Sequence, residues 1–199
     1  MGKVHPGATL TPHFRDFLPG WVARQPWYLG SGTPVLRPVG YLRLEDPAGD
    51  VGIETHLVEA DGRLYQIPMT YRGTPLPDAK PDVLIATAEH SVLGTRWIYD
   101  GPADPVWVGE LLRLVAENGV SEPSGKRGFG PTTARGLRLV PRLPARDRVR
   151  IELVRLVVPT VPTGDPGVVG QVVGTWHPEP DNEATETGCL ALVRATDGP

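Results

Sequence analysis

Three strand-like runs, VLRPVGYLRLE (35–45), VGIETHLVEA (51–60) and RLYQIPMTY (63–71), follow one another with only DPAGD and an ADG turn at 60–62 as connectors. A parallel pair needs a crossover of about a dozen residues, so connectors this short restrict the chain to an antiparallel meander. In the second run Val51, Ile53, Thr55, Leu57 and Glu59 alternate with Gly52, Glu54, His56 and Val58. That period of two predicts one apolar face and one solvated face.

Helical spacing flanks the meander on both sides. Phe14, Phe17, Leu18, Trp21 and Val22 form one stripe, with Thr11 as the expected N-cap and Pro12 as the first helical residue. Pro19 cannot donate to the carbonyl of Arg15, so the stripe is expected to break there and restart as a second turn. DPVWVGELLRLVAENG is the clearest helix. Asp104 caps it, Pro105 takes its first turn, Trp107, Leu111, Leu114 and Val115 line one face, and Asn118-Gly119 ends it.

Between them, VLIATA and VLGTRWIYD read as further strands, with Asp100-Gly101 as the exit turn. Residues 118–135 are rich in Gly, Pro and Ser and read as a linker. LRLVPRL, RVRIELVRLVV, GVVGQVVGTW and GCLALVRA follow as four strands before a TDGP tail. The expected fold is α+β: a curved antiparallel sheet packed on two or three short helices, with additional C-terminal strands. Three divisions follow: 1–117 as an α+β unit, 118–135 as linker, and 136–199 as a β-rich extension or a continuation of the same sheet.

Composition sets the class. With 40% hydrophobic and 22% charged residues and a net charge of −3, the chain reads as globular and carries no strong overall field. Cys189 is the only cysteine, so no intramolecular disulfide forms. No apolar run reaches the roughly 20 residues that span a bilayer, and MGKVHPGATL lacks a signal-peptide core. A cytoplasmic location and no membrane partner are the expectations.

Several local patterns imitate chemical sites. GKRGFGPTT (125–133) is glycine-rich but lacks Walker spacing and a following helix, so it reads as linker rather than as a phosphate cradle. Nine basic residues against two acidic ones occupy 126–155. They alternate with apolar residues as a solvated strand face does, and aromatics are almost absent among them, which argues against nucleic acid as a partner. The histidines at 5, 13, 56, 90 and 177 show no metal-ligand spacing, so no metal and no cofactor is expected. Ser91 and Cys189 lack a nucleophile elbow, and no catalytic residue is assigned.

RQPWYLGSG, YQIPMTYRGTPL and LIATAEHSVLGTRWIYDGPADPVWVGELLRLV together resemble the N-terminal cap domain of maltokinases, in order and spacing over residues 10–117. Such caps carry a Trp-aromatic-x-Gly motif after a first helix, a Tyr-x-x-Pro strand and an Asp-Pro-capped helix. The resemblance departs at Gly30-Ser31-Gly32, where basic residues are usual in the cap. In maltokinases the cap precedes a kinase that phosphorylates maltose on the route from trehalose to α-glucan. No His-x-Asp or Asp-x-Asp catalytic loop is present in this sequence, and a chain of this length is expected to lack the kinase.

The resemblance therefore implies a non-catalytic accessory or regulatory module, with a protein partner among the enzymes of trehalose, maltose or α-glucan metabolism. Two alternatives stay open: a sugar-binding protein, or a small enzyme whose site is assembled only by the fold. The candidate binding surface comprises Trp27, Tyr28, Arg43, Glu54, His56, His90, Arg96 and Trp97. Of these, Arg43, Glu54, His56, Arg96 and Trp97 lie on strands that could share one sheet face. Trp107 is expected in the core.

Overall fold

The computed structural model describes residues 5, 7–122, 132–162, 164–179 and 184–196. Its first sheet is built from β1 (Leu10–Thr11), β2 (Arg37–Leu44), β3 (Gly52–Ala60), β4 (Arg63–Arg72), β5 (Leu84–His90) and β6 (Gly94–Asp100) in the order β1-β5-β6-β4-β3-β2. All its pairs are antiparallel, and β2-β3-β4 is the meander the short connectors require. Asp61 and Gly62 turn β3 into β4 with positive φ at both residues, the conformation a tight hairpin of this twist demands.

The second sheet is four-stranded, in the order β7-β10-β11-β8: β7 (Thr133–Arg138), β8 (Val149–Leu153), β10 (Val168–Trp176) and β11 (Glu186–Ala195). The two-residue β9 (Leu156–Val157) leaves that sheet and pairs with Leu64 and Tyr65 of β4. RVRIELVRLVV thus serves two sheets. The crossing lies at Val154 and Arg155, where the Val154 N–H donates to Leu190 O and Arg155 O accepts from the Gln66 N–H. With two helices, α1 (Phe14–Val22) and α2 (Pro105–Ala116), the architecture is the α+β class expected from the sequence.

Helix α2 follows its sequence signals closely. Asp104 caps it by accepting the Val106 N–H, Pro105 takes the first turn, and Asn118 adopts positive φ just past its end. Helix α1 does not. His13 is its N-cap, with Nδ1 accepting the Arg15 N–H while the Asp16 carboxylate accepts the His13 N–H. Thr11 instead pairs with Glu89 as a strand residue. Pro19 sits inside one continuous helix; it forfeits a single bond to Arg15, and burial of Leu18, Trp21 and Val22 outweighs that loss.

The expected solvated face of β3 is also overturned. Both faces of the first sheet are covered at β3, so His56 is 3% and Val58 1% exposed. One face carries Val58, Ala60, Tyr65, Ile67, Met69 and Ile98 against α1. The opposite face carries Leu42, Ile53 and Leu57 against α2 and the inner face of the second sheet, including Val172, Ala191 and Val193. Trp107 lies in this second core, as its helix position predicts. At Gly136, β7 runs so close to α2 that an added Cβ would stand 2.1 Å from the Leu114 carbonyl oxygen.

Two strand limits shift as well. LRLVPRL is largely loop, because β7 ends at Arg138 and Pro141 has no N–H to continue a ladder. Val92 and Leu93 form the tip of the β5-β6 hairpin rather than the start of a strand. The glycine-rich GKRGFGPTT stretch lies mostly outside the described residues, as does the end of TDGP.

Candidate functional site

The face of the first sheet that carries α1 gathers most of the chemically distinctive residues. Register alone shows how: Arg43 pairs with Glu54, Glu54 with Met69, and Tyr41 with His56. Two positions along β4 from Met69, Tyr71 pairs with Ile98. Arg96 pairs with Ala88, and His90 with Gly94. Side chains two apart share a face, so Arg43, Glu54, His56, Arg96 and His90 all lie on the α1 side. Trp97 pairs with Arg72 and falls on the opposite face. The register thus brings Arg43, Glu54, His56 and Arg96 to one face and Trp97 to the other.

Glu54 is the centre of this group. Its carboxylate accepts the Tyr41 hydroxyl at 2.6 Å and lies 3.4 Å from His56 Nε2, while the nearby Tyr71 hydroxyl donates to Met69 Sδ at 3.9 Å. Burial first, then the Glu54 charge, pushes both phenols far above their ordinary pKa, so both remain O–H donors. Phe14 of α1 closes the group edge-on to the His56 ring, with centroids 4.8 Å apart. Tyr41 and His56 thus engage one carboxylate oxygen each. The cluster ties β2, β3 and β4 together beneath α1, while the Glu54 side chain stays 23% exposed.

Arg43 borders the cluster, since it pairs with Glu54 and its charge acts on Tyr41. It also lines a cleft of about 240 Å³ between β2 and the end of α2, shared with Glu45, Glu110, Arg113, Glu117 and Glu122. His90 Nδ1 accepts the Val92 and Leu93 N–H groups at 3.2 and 3.1 Å and so caps the hairpin tip. Arg96 reaches the Leu93 carbonyl of the same turn.

Trp27 and Tyr28 follow α1 and pack on Tyr65, with centroids 5.9 and 5.8 Å away. Tyr28 donates to Asp61 at 2.7 Å, and that hydrogen bond raises its pKa to about 12. Arg155 lays its guanidinium 4.9 Å above the Trp27 ring and pairs with Asp100 at the end of β6. Burial drives the Asp100 pKa upward even against that cation.

Among the described residues no group of three or more His, Cys, Asp or Glu is placed to hold a metal ion. Nor is any helix among them long and apolar enough to cross a membrane.

Sequence reasoning missed Tyr41, Tyr71, Phe14 and Arg155. Tyr41 was legible in principle, since it sits two residues from Arg43 and in register with His56, whereas Tyr71 pairs with Gly52 and Ile98, neither a candidate residue. Arg155 carried no local signal: its partners Asp100 and Trp27 lie far away in the chain.

The meander, the Trp27-Tyr28 pair packed on Tyr65 of the Tyr-x-x-Pro strand, and the Asp104-capped helix now stand in one folded unit. Residues 21–104 match the family model of the maltokinase N-terminal cap domain. The match covers less than half of the chain. It runs from the last turn of α1 to the cap residue of α2, so the cap-like segment comprises β2 through β6 and includes Glu54, His56, His90 and Arg96. Arg155 and the second sheet lie outside it. No curated protein matches the chain.

Proposed function

We propose that this protein is a non-catalytic accessory module resembling the maltokinase cap, acting in the cytoplasm beside an enzyme of trehalose, maltose or α-glucan metabolism. The match of residues 21–104 to the cap carries the reading. Two features support it. Three polar residues of the cap-like segment serve the fold: Glu54 binds across strands, His90 caps a turn, and Asp104 caps a helix. Leu29, next to Tyr28 in the chain, is 57% exposed, and Val35, in the loop leading into β2, is 89% exposed; exposed apolar side chains of this kind are what a protein partner covers. Affinity capture with the full chain from native lysate, followed by mass spectrometry, tests the reading. It expects an enzyme acting on trehalose, maltose or α-glucan; recovery of none overturns it.

A sugar-binding role is the second reading, favoured by the shared face of Arg43, Glu54, His56 and Arg96. Calorimetric titration with trehalose, maltose, glucose and maltodextrins tests it, and absence of heat with all four rejects it.

A further inference from the structure

The tip of the β5-β6 hairpin is held by an imidazole acting purely as an acceptor. His90 Nδ1 receives the N–H groups of Val92 and Leu93 at 3.2 and 3.1 Å. The same tip anchors the N-terminal strand. Ser91 donates its N–H to Thr9 O and Thr9 donates to Ser91 Oγ, both at 3.0 Å, while Leu10 pairs with His90 and Thr11 with Glu89. Among the described residues β1 is the only strand beside the outer edge of β5, and it pairs with Glu89 and His90.

A second imidazole and a guanidinium flank this acceptor. The His5 ring stands edge-on at 5.8 Å between centroids, and Arg96 of β6 reaches into the same turn at Leu93 O. Glu54 of β3 is the one anion that acts on His90 in opposition. Glu89, the neighbour in sequence, is bonded to Thr95 Oγ1 on the other face.

We propose that His90 is a proton-operated latch: protonation of Nδ1 removes the acceptor that holds residues 91–93 and releases β1 from the edge of β5. An imidazolium carries N–H on both nitrogens, so Nδ1–H would face two backbone donors, with the Arg96 guanidinium as an adjacent positive charge. The outcome is an opened strand edge at Glu89–His90, the kind of edge to which another extended segment can pair. Burial, then His5 and Arg96, holds the His90 pKa below its ordinary 6.5. The sign follows. The fold prefers neutral His90, so the latch has full strength above about pH 6.5 and weakens as pH falls toward the folded-state value.

Hydrogen exchange of the full chain at about pH 7.5 and about pH 5, corrected for intrinsic rates, tests the latch. The Ser91, Val92 and Leu93 amides are expected to lose protection by about tenfold or more at the lower pH, while β3 amides do not change. His90→Asn supplies a neutral acceptor and should abolish the pH dependence. Unchanged protection in the wild type, or the same loss in His90→Asn, overturns the proposal. If that variant misfolds, the 15N titration of His90 Nδ1 in the wild type decides. Its midpoint must coincide with the loss of protection, and a separation beyond about one pH unit overturns the latch.

Discussion

Arg72→Met is expected to be among the most damaging single changes outside the apolar core. Asp104 is wholly buried, and its two oxygens take the Arg72 Nε and Nη2 donors at 2.6 and 2.9 Å together with the Val106 N–H. Removing the guanidinium leaves a buried carboxylate with one backbone donor, a cost of about 3–5 kcal/mol. For a chain of this size that lowers Tm by about 6–20 °C. Asp104→Asn keeps an acceptor for the helix cap and leaves Arg72, 16% exposed, to partial hydration, so it should cost about 1–3 kcal/mol. The double variant should then be less damaged than the two costs added, with a coupling of about 0.5–3 kcal/mol. Urea unfolding followed by tryptophan fluorescence measures all four corners of the cycle.

Acid unfolding supplies a second readout. Burial raises the Asp104 pKa, but the Arg72 hydrogen bonds, the Val106 N–H and the Arg72 charge outweigh it, so the net shift is below the ordinary 3.8. The carboxylate therefore contributes its stability above about pH 4 and loses it as pH falls toward the folded value. Arg72→Met should move the acid transition to higher pH. An Arg72→Met protein within about 1 kcal/mol of wild type, or strictly additive variants, would refute the buried-pair argument.

Gly136→Ala places a methyl 2.1 Å from the backbone oxygen of Leu114, which no side-chain rotation relieves, and should cost about 1–3 kcal/mol or more in urea unfolding. A loss under about 0.5 kcal/mol would mean that β7 and α2 are not so closely packed. Cys189 is buried, and burial pushes its thiol up to about 11, so a thiol reagent at about pH 8 should modify it only as the protein unfolds. Rapid labelling in the absence of urea would contradict that burial.

The parts of this molecule legible in sequence are those governed by neighbours in the chain. Short connectors dictate the meander, and Asp104, Pro105 and Asn118 announce the limits of α2 because capping is a matter of a few adjacent residues. The N-cap of α1 was misplaced for a reason of the same kind. Thr11 and His13 both offer an acceptor side chain, and pairing of Thr11 with Glu89, a contact made across the fold, removes it from competition.

The solvated face of β3 failed because alternation reports only that a strand has two different faces. His56 looked wet because imidazole is polar, yet Glu54, Tyr41 and Phe14 satisfy and cover it. A polar residue in an alternating strand identifies a face with polar partners, and those partners can come from protein as readily as from water. Arg155 sets the limit of such reading. In sequence it is one of nine cations in a basic stretch, and in the fold it stacks on Trp27 and pairs with Asp100. It is placed by the crossing of the chain from β8 to β9, which fixes Arg155 beside Gln66 of β4. The segment outside the cap match thereby reaches into the cap-like sheet at the aromatic pair its motif is built on, and any partner engaging Trp27 meets both parts of the chain together.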